Sequence, residues 1–388
     1  MKSKNAPPWY SLSRFKLLGA MFTLVGTIIG AGVLGIPYVI AQSGFWLGIM
    51  VIFFVAFLLY IIYLYTGEIV LRTKGKHQLP GYAGIYLGKW GQRGMSVALT
   101  LSIYGSLVAY IFAGGESLRS LLGGIIDIPS WAFSIAFFMV LSAIIFFDIN
   151  TLSESEISVS SLLIIAVLVI FLFSAGHINP SNYTGFDVKN FFLPYGVVLF
   201  AFLGFVGIPE ASEILGRKKK KLKFAILLGI FVPLVIYLIF AFTIIGMMGA
   251  NTQELGTIGI EALIGAKGII IGNLFMLFAI STSFLALGFG LKEYYYFDKK
   301  FSNIKSWSIV CIVPFIAYFL VRLWASFTDV LAFSAIIFGG AQAIIVILTA
   351  LRAQKLGKRK PEYVVPINPV IATVLIGFIV AGMLSLIF

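Results

Sequence analysis

The stretch Gly32–Pro37, read as GVLGIP, lies inside one of the most hydrophobic runs of the chain. Its two glycines and its proline weaken a helix, although the surrounding run is long and apolar enough to cross a bilayer. The same pattern returns as GFVGIP at Gly204–Pro209, a little less than half the chain later. Glycines in a single membrane helix usually serve packing, but this density and recurrence predict two discontinuous helices.

The composition is that of a membrane protein. Of the 388 residues, 60% are hydrophobic and 11% are charged, and the mean hydropathy is +1.04. Soluble domains carry about 25% charged residues, so a soluble fold is excluded. Apolar runs of about 20 residues, the length of a spanning helix, recur along the chain. We therefore predict an all-α polytopic membrane protein.

Eleven membrane-spanning helices are expected. Their approximate ranges are 16–41, 44–71, 94–122, 130–148, 153–176, 194–214, 223–248, 267–292, 306–322, 328–352 and 368–388. With a cytoplasmic N-terminus, all 28 Lys and Arg residues belong to inside segments except Arg119, Lys189, Lys267 and Arg322. The positive-inside rule therefore predicts a cytoplasmic N-terminus and an extracytoplasmic C-terminus. The net charge of +13 then reflects orientation in the lipid bilayer and predicts no nucleic-acid partner.

The chain divides into two halves of nearly equal length. The first five spans cover 16–176, the next five cover 194–352, and one further helix follows at 368–388. An odd number of spans in each half gives the halves opposite orientations, with a broken helix first in each. This arrangement predicts a 5+5 inverted repeat within one transporter domain over 1–388. Discontinuous helices at matching positions indicate the binding site of a transporter.

Backbone groups are expected to supply the charge at this site. Asp, Glu, Lys, Arg and His are absent from the predicted span centres, where they would be costly. The N–H groups freed at the start of a second half-helix form a positive dipole end that suits a carboxylate. The carbonyls freed at the end of a first half-helix suit an ammonium group or an alkali cation. A zwitterion such as an α-amino acid needs both kinds of group.

Four stretches resemble a known family: GTIIGAGVLGIPYVIAQSGFWLG at Gly26–Gly48, TGEIVLR at Thr66–Arg72, LPGYAGIYLGKWG at Leu79–Gly91 and LFAFLGFVGIPEASEILGRKKKK at Leu199–Lys221. They are similar to the amino acid/auxin permease family, which belongs to the amino acid–polyamine–organocation superfamily with the leucine-transporter fold. Bacterial aromatic amino acid permeases and animal neutral amino acid transporters show the same glycine-rich first helix. The resemblance implies amino acid transport by alternating access.

The resemblance also implies a substrate site made from both breaks. Its residues are Ile28, Gly30, Ala31, Gly32, Phe200, Ala201, Phe202, Leu203 and Gly204. The substrate carboxylate meets the glycine-rich turn of the first helix, and the amino group meets carbonyls of both helices. Phenylalanines near the second break, with Phe205, favour an apolar or aromatic substrate side chain, and simple packing is the alternative. On the third helix, Tyr104 and Tyr110 are candidates to reach the site, again with packing as the alternative.

A polar cluster on the eighth span is expected to bind a coupling ion. Ala279, Thr282 and Ser283 are spaced i, i+3 and i+4, so one carbonyl and two hydroxyls share a helical face. With the first-helix carbonyls of Gly26 and Ile29, they are similar to the Na⁺ site of leucine-transporter-fold symporters. The alternative is that the hydroxyls bond to carbonyls of their own helix.

The central prediction is Na⁺-coupled symport of neutral, apolar or aromatic L-amino acids across the cell membrane. Two alternatives are an H⁺-coupled permease of the same family and an amino-acid sensor without net transport. Glu210 is the candidate for a gating or proton role, although an ion pair at the inner gate or with the basic loop is the favoured interpretation. An enzyme is not expected, because His77 and His177 lie in loops on opposite sides and no nucleophile, base or metal cluster stands out.

Overall fold

The computed structural model describes residues 13–147, 156–255, 266–298 and 300–386. Within these ranges the chain forms helices and connecting turns, without a strand. The α-helices are, in chain order, α1 (Ser13–Ile28), α2 (Ile36–Ser43), α3 (Phe45–Arg72), α4 (Leu79–Leu122), α5 (Ser130–Phe146), α6 (Glu156–Ser174), α7 (Phe192–Phe202), α8 (Ile208–Leu215), α9 (Leu222–Met248), α10 (Ala266–Glu293), α11 (Asn303–Trp307), α12 (Val313–Val321), α13 (Phe327–Phe333), α14 (Gly340–Leu356) and α15 (Pro369–Leu384). The two chain ends, with their predicted sides of the membrane, lie outside the described residues.

Most of these helices are suited to cross a membrane. In the described ranges seven helical stretches, three of which each join two of these helices, are long and apolar enough, and the bent pair Lys16–Ile28 and Ala31–Ser43 passes the same test when taken together. Three shorter apolar helices lie at Ser130–Phe146, Ile164–His177 and Pro369–Leu384. The chain is thus an all-helical, multi-pass membrane protein. The total of eleven spans, the inverted repeat and its boundaries remain predictions.

The first helix is interrupted where the glycines predict it. α1 ends at Ile28, Gly30 is extended (φ −144°, ψ −158°), and a tight 3₁₀ turn covers Ala31–Gly35 before α2 begins. The axis bends by 52° between the two halves. Pro37 lies in the first turn of α2, where the N–H that proline lacks would have no helical partner.

The second interruption has the same layout. α7 ends at Phe202, Gly204 leaves the helical conformation (φ −163°, ψ 10°), and a 3₁₀ turn covers Phe205–Gly207. Pro209 then lies in the first turn of α8. α1 packs against α8, and α2 packs against α7. The two discontinuous helices therefore pair half against half, with their breaks together.

Long continuous helices hold the broken pair in place. α9 packs against α1 and α2, and α3 packs against α7 and α9. α4 packs against α5 and α10. α4 itself bends at Gly88, whose φ of 73° glycine adopts without the clash of a side chain.

Glu68 anchors the segment between α14 and α15. Its buried carboxylate accepts hydrogen bonds from Arg72 Nε at 2.7 Å and from Gln354 Nε2 at 3.1 Å. Its second oxygen accepts one from the backbone N–H of Val365 at 2.7 Å. The sequence indicates only the Arg72 pair on the same helix, because the other two partners are 286 and 297 positions away.

Two tyrosines fix the same segment, residues 357–367, to α3, and we call it the strap. The hydroxyl of Tyr363 donates to the carbonyl oxygen of Leu64 at 2.9 Å. The hydroxyl of Tyr65 donates to the carbonyl oxygen of Pro366 at 3.1 Å. Burial raises the pKa of Tyr363 well above its ordinary value, so this hydroxyl keeps its proton as a donor.

Replacing Glu68 by Gln should destabilise the folded protein by about 1.5–3 kcal/mol, the range for a hydrogen bond to a charged group. The neutral amide removes the counter-charge of Arg72 and turns one acceptor into a donor. The measurement is the unfolding temperature in detergent, followed by intrinsic fluorescence. Glu293→Gln, at an exposed position of α10, is the matched control. Equal unfolding temperatures for the two variants would contradict the anchoring role of Glu68.

Candidate functional site

Glycines let the two breaks touch. A Cβ atom placed on Gly32 would lie 2.9 Å from Cδ1 of Phe200 and 3.0 Å from Cα of Ala201. A Cβ atom placed on Gly204 would lie 2.7 Å from Cγ1 of Ile28. Most of these separations are shorter than real Cβ contacts, so the close approach requires the absence of a side chain. The structure thereby brings predicted residues of the two breaks into contact.

Two buried tyrosines contact the carbonyl ends of the breaks. The hydroxyl oxygen of Tyr237 on α9 lies 2.9 Å from the carbonyl oxygen of Ile28 and 2.8 Å from that of Ala201. The hydroxyl of Tyr63 on α3 donates to the carbonyl oxygen of Phe202 at 3.1 Å. Both tyrosines are fully buried. The sequence does not single out these two tyrosines, because each lies in a long apolar helix without a local motif. The one indication in the sequence is that a buried phenol needs a hydrogen-bond partner.

Unlike the carbonyl oxygens, the N–H groups around the first break have no tyrosine as a partner among the residues described. The N–H of Ala31 donates to Oγ of Ser283 on α10 at 3.3 Å. Within the described ranges, the N–H groups of Gly30 and Gly32 have no hydrogen-bond acceptor. They lie at the start of the turn that leads into α2, which is the positive end of that half-helix. Two such donors suit an anionic oxygen.

The two hydroxyls predicted to bind an ion have different partners. Thr282 Oγ1 donates to the carbonyl oxygens of Phe278 at 2.9 Å and Ala279 at 3.1 Å, on its own helix. Ser283 Oγ accepts from the N–H of Ala31 and so faces the first break. Because a hydroxyl oxygen keeps its lone pairs while it donates, these bonds leave Thr282 Oγ1 able to coordinate a cation, and the ion site remains a prediction.

Of the two tyrosines predicted on α4, Tyr110 is the one beside the site. Its hydroxyl lies near Ser283, and its ring meets that of Phe200 edge to face with centroids 6.5 Å apart. Tyr104 instead donates to the carbonyl oxygen of Ile309 at 3.0 Å. Tyr110 thus connects α4, α7 and α10 next to the first break.

The three phenylalanines at the second break lie in different surroundings. Phe202 and Phe205 are at most 2% exposed and meet the rings of Tyr237 and Tyr63 edge to face, with centroids 5.0 and 5.9 Å apart. Phe200 is only partly buried and lies beside the glycine-rich turn. Packing therefore accounts for Phe202 and Phe205, whereas the Phe200 ring is only partly covered, next to the glycine-rich turn.

Glu210 is exposed in the first turn of α8. An inner ion pair was expected for it, but the pair in the structure joins Lys76, after α3, to Glu213. In the part of the chain that the structure describes, Glu210 forms no ion pair. It stays a candidate for gating or proton transfer.

A carboxyl that the sequence did not indicate attaches the connection after α9 to α13. Glu254 lies near Ser326, Thr328 and Asp329 at the start of α13. Burial, the largest effect, raises the pKa of Glu254 above its ordinary value. The nearby Ser326 hydroxyl opposes this rise in pKa, and the charge of Asp329 adds to it. The partners are far apart in the chain, so no local pattern predicts the contact.

Gly32→Ala should lower the unfolding temperature, because the new methyl group forces Phe200 and the backbone of Ala201 away from the turn. Overpacking of this kind costs about 1–3 kcal/mol. Gly377→Ala on α15 is the control, since a Cβ atom there meets nothing within 4 Å. If both variants unfold at the wild-type temperature, the breaks are not in close contact.

Comparison with known proteins gives consistent matches over most of the chain. The model of a family described as the tryptophan/tyrosine permease family matches residues 13–385, which include both breaks and α10. Tyrosine-specific transport system 1 of Haemophilus influenzae is 25% identical over 297 residues, 72% of each chain. Glutamine transporter 2 of Aliivibrio fischeri is 26% identical over 71% of this chain and 74% of its own. The tryptophan-specific transport protein of Haemophilus influenzae is 26% identical, over 77% and 78%.

Proposed function

The chain belongs to the tryptophan/tyrosine permease family, and we propose that it is a secondary active transporter of neutral, apolar or aromatic L-amino acids. As a member of a permease family it is a multi-pass membrane protein and not an enzyme. This family is not the amino acid/auxin permease family that the sequence resembles. The wider superfamily, the leucine-transporter fold and alternating access are part of the proposal.

The proposed substrate is an amino acid because helix ends with free carbonyl oxygens and a helix end with free N–H groups meet at the two breaks. α1 and α7 end in carbonyls at Ile28 and Ala201, and the turn after α1 offers the N–H groups of Gly30 and Gly32. An α-amino acid carries an ammonium and a carboxylate on one carbon atom, so it binds both ends at once. Residues 28–32 and 200–204 carry no charged side chain that would substitute for these ends.

The side-chain preference is proposed from the rings beside the breaks. Phe200 and Tyr110 give the site an aromatic wall next to Gly32. The relatives described as tyrosine- and tryptophan-specific support an aromatic substrate. The relative described as a glutamine transporter makes glutamine a necessary member of any substrate panel.

Na⁺ is the proposed coupling ion. α10, which carries Ala279, Thr282 and Ser283, packs against the turn that follows α1. Gly26 lies in the last turn of α1 and Ile29 directly follows that helix, and the proposal joins carbonyl oxygens of these residues to the oxygens on α10. Carbonyl and hydroxyl oxygens are the ligands that a hard cation prefers.

Two other functions are kept as alternatives. H⁺ coupling would use Glu210, which is exposed close to the second break. An amino-acid sensor would use the same pocket without net transport. Protein that binds an amino acid in detergent but moves none into proteoliposomes would favour the sensor.

Counterflow in proteoliposomes should show uptake of one or more of tryptophan, tyrosine, phenylalanine, leucine and glutamine. The panel is measured with Na⁺ and H⁺ gradients imposed separately. We expect accumulation with an inward Na⁺ gradient and only equilibration without it. Accumulation driven by the H⁺ gradient alone would show that H⁺, and not Na⁺, is the coupling ion. The absence of counterflow for every amino acid would overturn the proposed substrate class.

The double change Thr282→Ala with Ser283→Ala should raise the Na⁺ concentration for half-maximal uptake roughly tenfold, since it removes two oxygens around the ion. Uptake is measured against Na⁺ concentration at saturating amino acid. Ser281→Ala, a hydroxyl on the same helix outside the predicted set, is the control. An unchanged Na⁺ dependence of the double variant would show that these hydroxyls only pack.

A further inference from the structure

Two helix ends of the same polarity converge on one phenol. The hydroxyl oxygen of Tyr237 lies within 2.9 Å of a carbonyl oxygen at the end of α1 and 2.8 Å of one at the end of α7. Each helix C-terminus carries roughly half a negative charge. These like charges repel each other, and the Tyr237 proton lies between them.

The single proton of Tyr237 leaves both carbonyls with spare capacity. A phenol donates one hydrogen, whereas each carbonyl oxygen has two lone pairs. The Ile28 and Ala201 oxygens share that hydrogen and can each accept another bond. An ammonium group has three N–H donors and a full positive charge. It can therefore donate to both carbonyl oxygens, which lie at the negative ends of their helices and can each accept a further hydrogen bond.

The hydroxyl is also held in place. Tyr237 is fully buried, and its ring meets Phe202 edge to face with centroids 5.0 Å apart. Its helix, α9, packs along α1. The spacing of the two carbonyl oxygens is therefore set by a rigid third element. Tyr63 differs, because its hydroxyl contacts a carbonyl of α7 alone.

We propose that Tyr237 is a positioning residue, which holds the Ile28 and Ala201 carbonyl oxygens at the spacing that binds the substrate's ammonium group. The inference rests on the proposed function, since it names the residue that sets amino-group recognition in that site. Without the shared proton the two helix ends separate. The site then loses affinity for ligands that carry an amino group, and ligands without one are unaffected.

The test compares ligand pairs that differ only in the amino group: L-tryptophan with 3-indolepropionate, and L-tyrosine with 3-(4-hydroxyphenyl)propionate. Each is measured as an inhibitor of amino acid uptake and as a ligand of purified protein. We define the preference as the ratio of the affinity for the amino acid to the affinity for its analogue without the amino group. Tyr237→Phe should reduce this ratio about tenfold, as expected for the loss of one hydrogen bond. Its affinity for the analogue without the amino group should stay at the wild-type value.

Tyr363→Phe is the matched control, because it also removes a hydrogen bond from a buried phenol to a helix carbonyl, away from the breaks. It should leave the preference unchanged. In Tyr237→Phe, an equal loss for both members of a pair would show a merely structural role. An unchanged preference, or a stronger one, would equally overturn the proposal.

A second variant tests the same proposal if Tyr237→Phe does not fold. Tyr237→p-aminophenylalanine keeps the ring and offers two N–H donors, one for each carbonyl. It should retain the wild-type preference for the amino acid, and loss of that preference in folded protein would overturn the positioning role. If wild-type protein neither binds nor transports any amino acid, the proposed function fails. If it transports amino acids and the variants keep its preference, only the role of Tyr237 fails.

Discussion

The backbone groups freed at the two breaks constrain the rest of the structure, because a bilayer offers no water to hydrogen-bond them. Partners must come from neighbouring helices. Tyr237 on α9, Tyr63 on α3 and Ser283 on α10 provide them. Each partner works only at a fixed distance, so the continuous helices around the broken pair must be rigid. Among the described residues, the N–H groups of Gly30 and Gly32 keep no such partner.

Charged side chains are used at the margins of the protein and not at its centre. Glu68 holds the strap, Lys76 pairs with Glu213 after α3, and Glu254 ties a connection to α13. Each of these groups fixes a connecting segment onto a helix end. Residues 28–32 and 200–204 carry no charged side chain, so the helix dipoles supply the partial charges at the breaks.

The features that depend on local backbone chemistry could be predicted from the sequence. Glycine and proline act on their own conformation, so both interruptions lie where the repeated motif indicates. The partners of the freed carbonyls could not be predicted, because they depend on which helices pack together. Tyr237 is 36 positions from Ala201 and 209 from Ile28. The ion pair expected for Glu210 is instead formed by Glu213 with Lys76. Residues three apart share a helix face, so the sequence alone does not separate the two carboxylates.

Strap contacts link the end of the chain to one of its earliest helices. Gly67 of α3 has no side chain where the Tyr363 hydroxyl lies, and the Glu68 carboxylate needs the N–H of Val365. α3 therefore enters the membrane during synthesis with a carboxylate for which two of the three hydrogen-bond donors, those of Gln354 and Val365, have not yet been translated. Its final environment forms only when the ribosome has reached the strap. A chain that terminates before Gln354 therefore leaves α3 without these two contacts.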